Sequence, residues 1–433
     1  MVHTDYCDAG AHFGCAQAAG NLPQCEQDTY VSSTYDNSVV SPYFDIATKY
    51  GFANYFFQTN QGPSMPAHQF LFSGTSAPSG DPLQANYEDF QSENPSGSQQ
   101  QHNTGCTAPP SYTVKLIDPN GKESGQGGPT AVYPCFEHNS LPTLLDAGGV
   151  SWKYYTNSAT GIWTAPNAVR PICQASTMPP NPVCTGPDWV NDVFFGPSQV
   201  LLDAGVSCGL RNVSWVIPNG SWSDHPGFNR SPENSTDIEG GPAWAAAIVN
   251  AVGQSLCTDS VNGQQIPYWQ DTAILVVWDD WGGFYDHVPP FNVILNQPGT
   301  FGSGYVYGFR VPFLVVSAYT PAGYVSGACQ SPGNCQNDAF PYRHDFGSIL
   351  GFIENNFLGS NEIGQINFKY PFADNFAPDY KPGVHVPLAD FFPLTSPRVF
   401  QAINLPGGSP DASYFINYNG TPEDPDNDAI DND

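Results

Sequence analysis

The sequence has few basic residues. Its 433 residues include 12 Lys and Arg against 40 Asp and Glu, for a formal net charge of −28 at pH 7. A surface this negative repels nucleic acid and anionic lipid headgroups, so we exclude DNA and RNA as expected partners. A protein of this charge that acts on anionic phosphate esters needs local positive charge, which a bound divalent cation, helix N-termini and histidines supply.

Long apolar runs and closely spaced cysteine pairs are also missing. No stretch approaches the roughly eighteen apolar residues of a membrane-spanning helix, and no basic-then-apolar signal peptide is seen at the N-terminus. No C-x-x-C pair indicates zinc or a redox dithiol. We expect the 11 cysteines to form disulfides in a secreted or periplasmic protein, with an odd one left over; short-loop candidates are Cys329–Cys335 and Cys173–Cys184.

The chain reads as one large domain. Its 42 prolines and 43 glycines are spread through many loops and are not pooled into one linker. We predict a domain over residues 1–403, with a loop-rich insertion at 74–132 and a polar acidic tail at 404–433.

Short apolar runs alternate with helical patterns. Apolar residues at helical spacing follow Gly241-Pro242 and recur over 346–357. This alternation predicts an α/β fold, with a mostly parallel central sheet, helices on both faces and long loop insertions. The predicted buried strands are Val150–Tyr155, Val213–Pro218, Ala273–Trp278 and Val311–Ser317.

Two adjacent carboxylates follow the third of these strands. In open α/β sheets, sites form outside the carboxyl ends of strands, and a hard cation offsets the repulsion between neighbouring carboxylates. Asp279 and Asp280 are therefore candidate metal ligands. The alternative is a polar exit from the strand, with Asp279 capping the turn that follows.

Gly62-Pro63-Ser64 lies at the start of another predicted helix. A serine at a helix start can point its hydroxyl into a site where backbone N–H groups and a metal stabilise its alkoxide. The alternative is that Ser64 is an N-cap, which is a common position for serine.

Three histidines lie in polar segments near predicted element ends: His225, His287 and His344. An imidazole there can bind phosphoryl oxygens or protonate a leaving alcohol. The alternative for each is a hydrogen-bonded loop histidine.

Taken in order, these motifs resemble the bacterial phosphoesterase family of phospholipases C and a respiratory-burst-inhibiting acid phosphatase. The resemblance spans roughly residues 41–403 and implies an alkaline-phosphatase-like fold. It implies that Ser64 is the nucleophile, and that Asp279, Asp280 and Ser64 hold one divalent metal ion. It also implies that His225 lines the phosphate pocket, with His287 and His344 as further catalytic histidines. The matching segments are Gly62-Pro63-Ser64, Ser223-Asp224-His225-Pro226, Asp279–Val288, Arg310-Val311-Pro312 and His344–Glu354.

The sequence departs from the family at its N-terminus. Members begin with an apolar strand followed by Glu-Asn-Arg-Ser-Phe-Asp, whose Glu and Asn complete the metal shell, and nothing similar precedes Asp36. We therefore expect a truncated chain that lacks this strand and binds its metal weakly. His3 is a thin match to a pocket histidine of the family.

The resemblance implies a phospholipase C-like phosphoric ester hydrolase that acts on a phospholipid or a small phosphate ester. Two alternatives stay open: a non-catalytic fragment or pseudoenzyme that keeps the fold, and an acid phosphatase for small phosphomonoesters. A sulfatase is disfavoured because His68 stands where the arginine of a C/S-x-P-x-R motif belongs.

Overall fold

The structure is a computed structural model of the chain. It describes residues 4–8, 40–60, 62–81, 83–84, 86, 89–95, 103–176, 182–224, 240–258, 263–282, 284–286, 288, 290–292, 297–298, 307–328, 342–359 and 386–418.

The described residues form a mixed α/β fold of short strands and mostly short helices. The strands are β1 (Thr4–Asp8), β2 (Gly51–Ala53), β3 (Phe56–Phe57), β4 (Phe90–Gln91), β5 (Leu116–Ile117), β6 (Trp152–Thr156), β7 (Val193–Phe195), β8 (Val213–Val216), β9 (Cys257–Thr258), β10 (Gln265–Ile266), β11 (Ala273–Val277), β12 (Phe284–Asp286), β13 (Phe291–Asn292), β14 (Gln297–Pro298), β15 (Phe313–Ser317), β16 (Tyr324–Ser326) and β17 (His344–Asp345). The α-helices are α1 (Ser41–Lys49), α2 (Ser64–Ser73), α3 (Leu141–Ala147), α4 (Ala165–Ala168), α5 (Arg170–Cys173), α6 (Pro187–Asp192), α7 (Gln199–Leu202), α8 (Gly240–Gly253), α9 (Phe346–Phe357) and α10 (Ala412–Ile416).

The larger of the two main sheets has four strands in the order β11-β15-β2-β16. Strands β11 and β15 confirm two of the predicted apolar runs. Their pairing is antiparallel, as is that of β15 with β2, and only β16 pairs parallel with β2. The described part of the connection from β11 to β15 contains short strands and no crossover helix, so β15 returns antiparallel to β11. The prediction of a mostly parallel sheet is wrong for this sheet.

The second main sheet is parallel, as predicted, with the strand order β7-β6-β8. Strands β6 and β8 confirm the other two predicted runs. The edge strand β7 follows α6 directly, and helices α4 and α5 follow β6.

Aromatic side chains form the core on which the site rests. The Phe56 ring stacks on Phe313 of β15 with ring centroids 4.1 Å apart, and lies 6.0 Å from the Phe346 ring at the start of α9. Helix α9 has the bounds that its periodicity predicts, and Asp345 starts it by accepting a hydrogen bond from the Ser348 amide at 3.0 Å. Helix α8 also begins beside the predicted Gly241-Pro242 pair.

Two disulfides brace the segments around α4 and α5. Cys173–Cys184 confirms a predicted short loop, and Cys106–Cys135 joins positions 29 apart. The other predicted pair, Cys329–Cys335, lies outside the described residues.

Candidate active site

Ser64 is the first residue of α2, and its hydroxyl faces the predicted carboxylates. Pro63 occupies the N-cap position, and the Ser64 Oγ donates a hydrogen bond to Asp280 Oδ2 at 3.0 Å. The N-cap alternative for Ser64 is therefore wrong. Ser64 is 1% exposed, so its hydroxyl lies away from solvent.

The turn before α2 is fixed by side-chain amides and by close packing. The Gly62 carbonyl accepts hydrogen bonds from Gln58 Nε2 at 2.7 Å and from Asn60 Nδ2 at 2.8 Å. A Cβ at Gly62 would lie 2.5 Å from the Ser92 carbonyl oxygen, so only glycine fits there. This turn sets the position of Ser64 before the helix begins.

Asp279 and Asp280 lie just beyond the carboxyl end of β11, as predicted. Asp280 Oδ1 accepts a hydrogen bond from the Gly282 amide at 2.7 Å, which turns its other oxygen towards Ser64. Gly282 has φ +64°, a left-handed conformation that favours glycine. The apolar strand therefore ends in a turn that presents both carboxylates at one sheet edge.

His68 is a site residue that the sequence analysis did not assign. It lies one helical turn after Ser64, and its Nε2 is 3.2 Å from Asp279 Oδ2. Its side chain is 8% exposed, and its ring stacks on Trp163 with centroids 6.4 Å apart. The signal was the i, i+4 spacing from Ser64, which places both side chains on one helix face. Two residues of α2 thus contact two consecutive carboxylates of the β11 turn.

The predicted histidines have different outcomes. His225 and His287 lie outside the described residues, as does His3. His344 is completely buried, and its Nε2 lies 2.7 Å from Ser326 Oγ. Because the Ser326 hydroxyl donates to Asp390 Oδ2 at 2.6 Å, His344 Nε2 acts as the donor to Ser326. A catalytic role for His344 stays a prediction.

The Asp390 carboxylate is the acceptor at the centre of that buried network. Burial favours its neutral form, but hydrogen bonds involving His344, Ser326 and Tyr324 outweigh burial and hold the Asp390 pKa below its usual value. The network joins β16 and β17 to residues 389–391 and fixes the strand that precedes α9.

Asp224, in the predicted Ser-Asp-His-Pro segment, is tied to the β11 end through Tyr43. The Tyr43 hydroxyl donates to Asp224 Oδ2 at 2.6 Å, and its ring packs edge-on against Trp278, with centroids 4.9 Å apart. Burial and the Asp224 carboxylate raise the Tyr43 pKa well above its usual value, so Tyr43 stays a donor. Because Trp278 precedes Asp279, this contact brings the segment beside the site.

Arg310 anchors the far end of the β11–β12 loop. Its guanidinium makes a two-point contact with the Asp286 carboxylate, Nη2 to Oδ1 at 2.9 Å and Nε to Oδ2, and donates from Nη1 to the Asn54 carbonyl at 2.9 Å. Both charged side chains are almost fully buried. The predicted Asp279–Val288 motif is therefore held at both of its described ends.

The family of the protein follows from a match over most of its sequence. The profile of the Phosphoesterase family matches residues 16–358, which is most of the chain. The protein therefore belongs to the phosphoesterase family, and the resemblance given above is confirmed.

The individual relatives include several bacterial phospholipases C. The chain is 32% identical over 240 residues to Phospholipase C B of Mycobacterium tuberculosis, covering 47% of this chain and 39% of the relative. It is 26% identical over 239 residues to the Non-hemolytic phospholipase C of Pseudomonas aeruginosa, covering 48% and 31%. A match to the Hemolytic phospholipase C of the same organism is 22% identical and covers 73% of this chain and 38% of the relative. The chain thus spans less than half the length of these relatives.

Among the helices that the structure describes, none is long and apolar enough to cross a membrane.

Proposed function

We propose that this chain hydrolyses phosphoric esters in the manner of a phospholipase C, with Ser64 as the nucleophile. The observation that carries the proposal is the hydrogen bond from the Ser64 hydroxyl to Asp280, at the start of a buried helix. Membership of the phosphoesterase family and the phospholipase C relatives support the reaction class. An alkaline-phosphatase-like arrangement of the sheet and export of the protein belong to the same proposal.

In the proposed reaction, Asp280 orients the Ser64 hydroxyl and the start of α2 faces the anionic ester. Asp280 takes the Ser64 proton as Ser64 attacks phosphorus in line, the bond from phosphorus to the leaving alcohol breaks, and a histidine protonates that alcohol. Water then hydrolyses the phosphoserine. His68 holds Asp279 so that the two carboxylates keep their relative positions. Phospholipid is the leading substrate, ahead of small phosphomonoesters.

The oxygen atoms at this site could form part of the ligand shell of one hard divalent cation. Asp279, Asp280 and Ser64 offer oxygen ligands, which such ions prefer. The described part of the chain has no group of three or more His, Cys, Asp or Glu side chains that could hold a metal. With only these ligands among the described residues, water and the substrate phosphate would complete the shell, and we propose weak binding. When bound, the cation would supply charge neutralisation at the phosphoryl group.

The test compares Ser64→Ala with Ser73→Ala in the full chain. Ser73 is a matched control because it is a buried serine at the other end of α2 whose Oγ has no hydrogen-bond partner. We expect Ser64→Ala to lower hydrolysis of a chromogenic phosphocholine diester about a thousandfold or more, with unchanged thermal unfolding, whereas Ser73→Ala retains activity.

Three results would count against the proposal. Wild-type rates from Ser64→Ala would remove the nucleophile assignment. No hydrolysis of either the diester or an aryl phosphate by the wild-type chain, with divalent metal added, would favour the pseudoenzyme. Faster hydrolysis of the aryl phosphate would favour the acid phosphatase.

A further inference from the structure

The sequence contains the acceptor motif for N-linked glycans, Asn-x-Ser/Thr, in which x is any residue except proline. The motif begins at five positions, Asn212, Asn219, Asn229, Asn234 and Asn419. It is modified in chains that enter a secretory pathway, at asparagines that lie on the surface of the protein. The asparagines at 212 and 219 belong to the described part of the chain, and the other three lie outside it.

The two described asparagines differ in exposure. Asn212 is exposed, in a bend just before β8. Its side chain accepts hydrogen bonds from Ser151, from Oγ at 2.7 Å and from the amide at 3.3 Å, and both use Oδ1. The Nδ2 atom, to which a glycan is attached, lies on the other side of the amide group. Asn219 is 3% exposed, and its Oδ1 accepts from the Ser221 amide at 3.2 Å. The fold therefore has room for a glycan at Asn212 and not at Asn219.

The serine of the exposed motif is not explained by packing. Ser214 lies in β8 with its Oγ buried, and no described residue makes a hydrogen bond to that atom. A buried hydroxyl without a partner is unfavourable, so packing alone favours alanine or valine at this position of a strand. A hydroxyl at the third position is what the glycan acceptor motif requires. The motif therefore accounts for a serine that the fold does not use.

Asn212 lies at the opposite end of the parallel sheet from the candidate active site. The amide of the next residue, Val213, donates to the Ser151 carbonyl just before β6 begins, at 3.1 Å. At the other end of β8, Ile217 packs in one apolar cluster with Trp163 and with Met65 of α2. The five residues from 212 to 217 span about 16 Å in an extended strand. A glycan on Asn212 is therefore attached away from the end of the sheet that packs against the Ser64 helix.

We propose that Asn212 carries an N-linked glycan when the chain passes through a secretory pathway that contains an oligosaccharyltransferase. The co-substrate is a lipid-linked oligosaccharide diphosphate. A bond forms from Asn212 Nδ2 to C1 of the first sugar, the bond from C1 to the diphosphate oxygen breaks, and the lipid diphosphate leaves as Nδ2 loses one proton to a base. The Cys106–Cys135 and Cys173–Cys184 disulfides fit the oxidising compartment of such a pathway. This inference rests on the export that is part of the proposed function, and not on hydrolysis.

The experiment produces the full chain behind an added signal peptide in a eukaryotic host and isolates it from the secretory compartments and the medium. Peptide N-glycosidase then releases each glycan and converts the asparagine that carried it to aspartate, which peptide mass spectrometry locates. We expect this conversion at Asn212 and not at Asn219. Asn212→Gln and Ser214→Ala should each lack one glycan, whereas Ser214→Thr, which keeps the hydroxyl, should retain it.

The proposal is overturned if Asn212 is unmodified in the translocated chain, or if Asn219 carries a glycan in its place. It is equally overturned if Ser214→Ala keeps the glycan at Asn212. Ser64→Ala serves as the control for the link to the proposed function. This variant should carry the same glycan as the parent chain whatever its activity, so failure of the hydrolase assignment and failure of the glycan assignment are told apart.

Discussion

The buried ion pair between Arg310 and Asp286 gives the sharpest prediction about stability. Arg310→Met removes the guanidinium but keeps an unbranched side chain of similar length. It takes the guanidinium away from the buried Asp286 carboxylate, and it removes the hydrogen bond to the Asn54 carbonyl. Breaking one partner of a buried pair costs about 3–5 kcal/mol, so we expect a loss of that size in the free energy of unfolding.

The assay is urea unfolding followed by tryptophan fluorescence, with Arg170→Met as the matched control. Arg170 pairs with Glu137 at 3.2 Å, but both side chains are more than half exposed, so its loss should cost at most about 1 kcal/mol. The double variant Arg310→Met/Asp286→Leu should recover part of the loss because no buried charge remains. Equal destabilisation by Arg310→Met and Arg170→Met would refute this account of the loop anchor.

Three further predictions concern His68, His138 and one disulfide. We expect His68→Ala to lower kcat/KM for a soluble phosphodiester about tenfold. His68→Gln, whose amide can still reach Asp279, should recover part of the lost kcat/KM. An equal loss in both variants would contradict a positioning role. Burial lowers the His138 pKa from 6.5 to about 4. Between pH 6.5 and pH 4 the unfolded chain therefore binds a proton at His138 that the folded protein does not, so the free energy of unfolding falls with the pH by roughly 3 kcal/mol in full. The urea midpoint of the His138→Asn variant should therefore fall less between pH 7 and pH 5 than that of the wild type, and parallel profiles would argue against this. Cys173→Ser/Cys184→Ser, which opens a loop with a sequence separation of 11, should lower the free energy of unfolding by about 2–3 kcal/mol in calorimetry, and an unchanged value would contradict a bracing role for this disulfide.

Local patterns predicted four of the strands, β6, β8, β11 and β15, and the helices α2, α8 and α9, but they did not predict how the strands pair. The runs that became β11 and β15 are almost continuously apolar, which is typical of strands covered on both faces. Two such runs look the same whether they lie parallel or antiparallel. The antiparallel pairing of β11 with β15 therefore required the structure.

For the candidate site too, the sequence predicted individual residues and elements but not which distant residues contact each other. Ser64 and Asp280 are 216 positions apart, and only the resemblance to a family suggested that they meet. The position of His68 on the Ser64 face follows from helix geometry, but its contact with Asp279 depends on tertiary packing. The same holds for His344, whose partner Ser326 is 18 positions away on another strand.

The burial of α2 has a consequence for how the molecule moves. Nine of its ten residues are buried, and its last turn closes on Gly74, whose amide donates to the Phe70 carbonyl at 2.9 Å. Amide hydrogens in such a helix reach solvent only through large openings, whereas exposed loops exchange through local ones. Deuterium uptake along the chain should therefore be slowest at α2, which carries Ser64. Added denaturant should then raise the deuterium uptake rate of α2 amides in step with the globally unfolded fraction. The proposed nucleophile would thus belong to the last part of the fold to open.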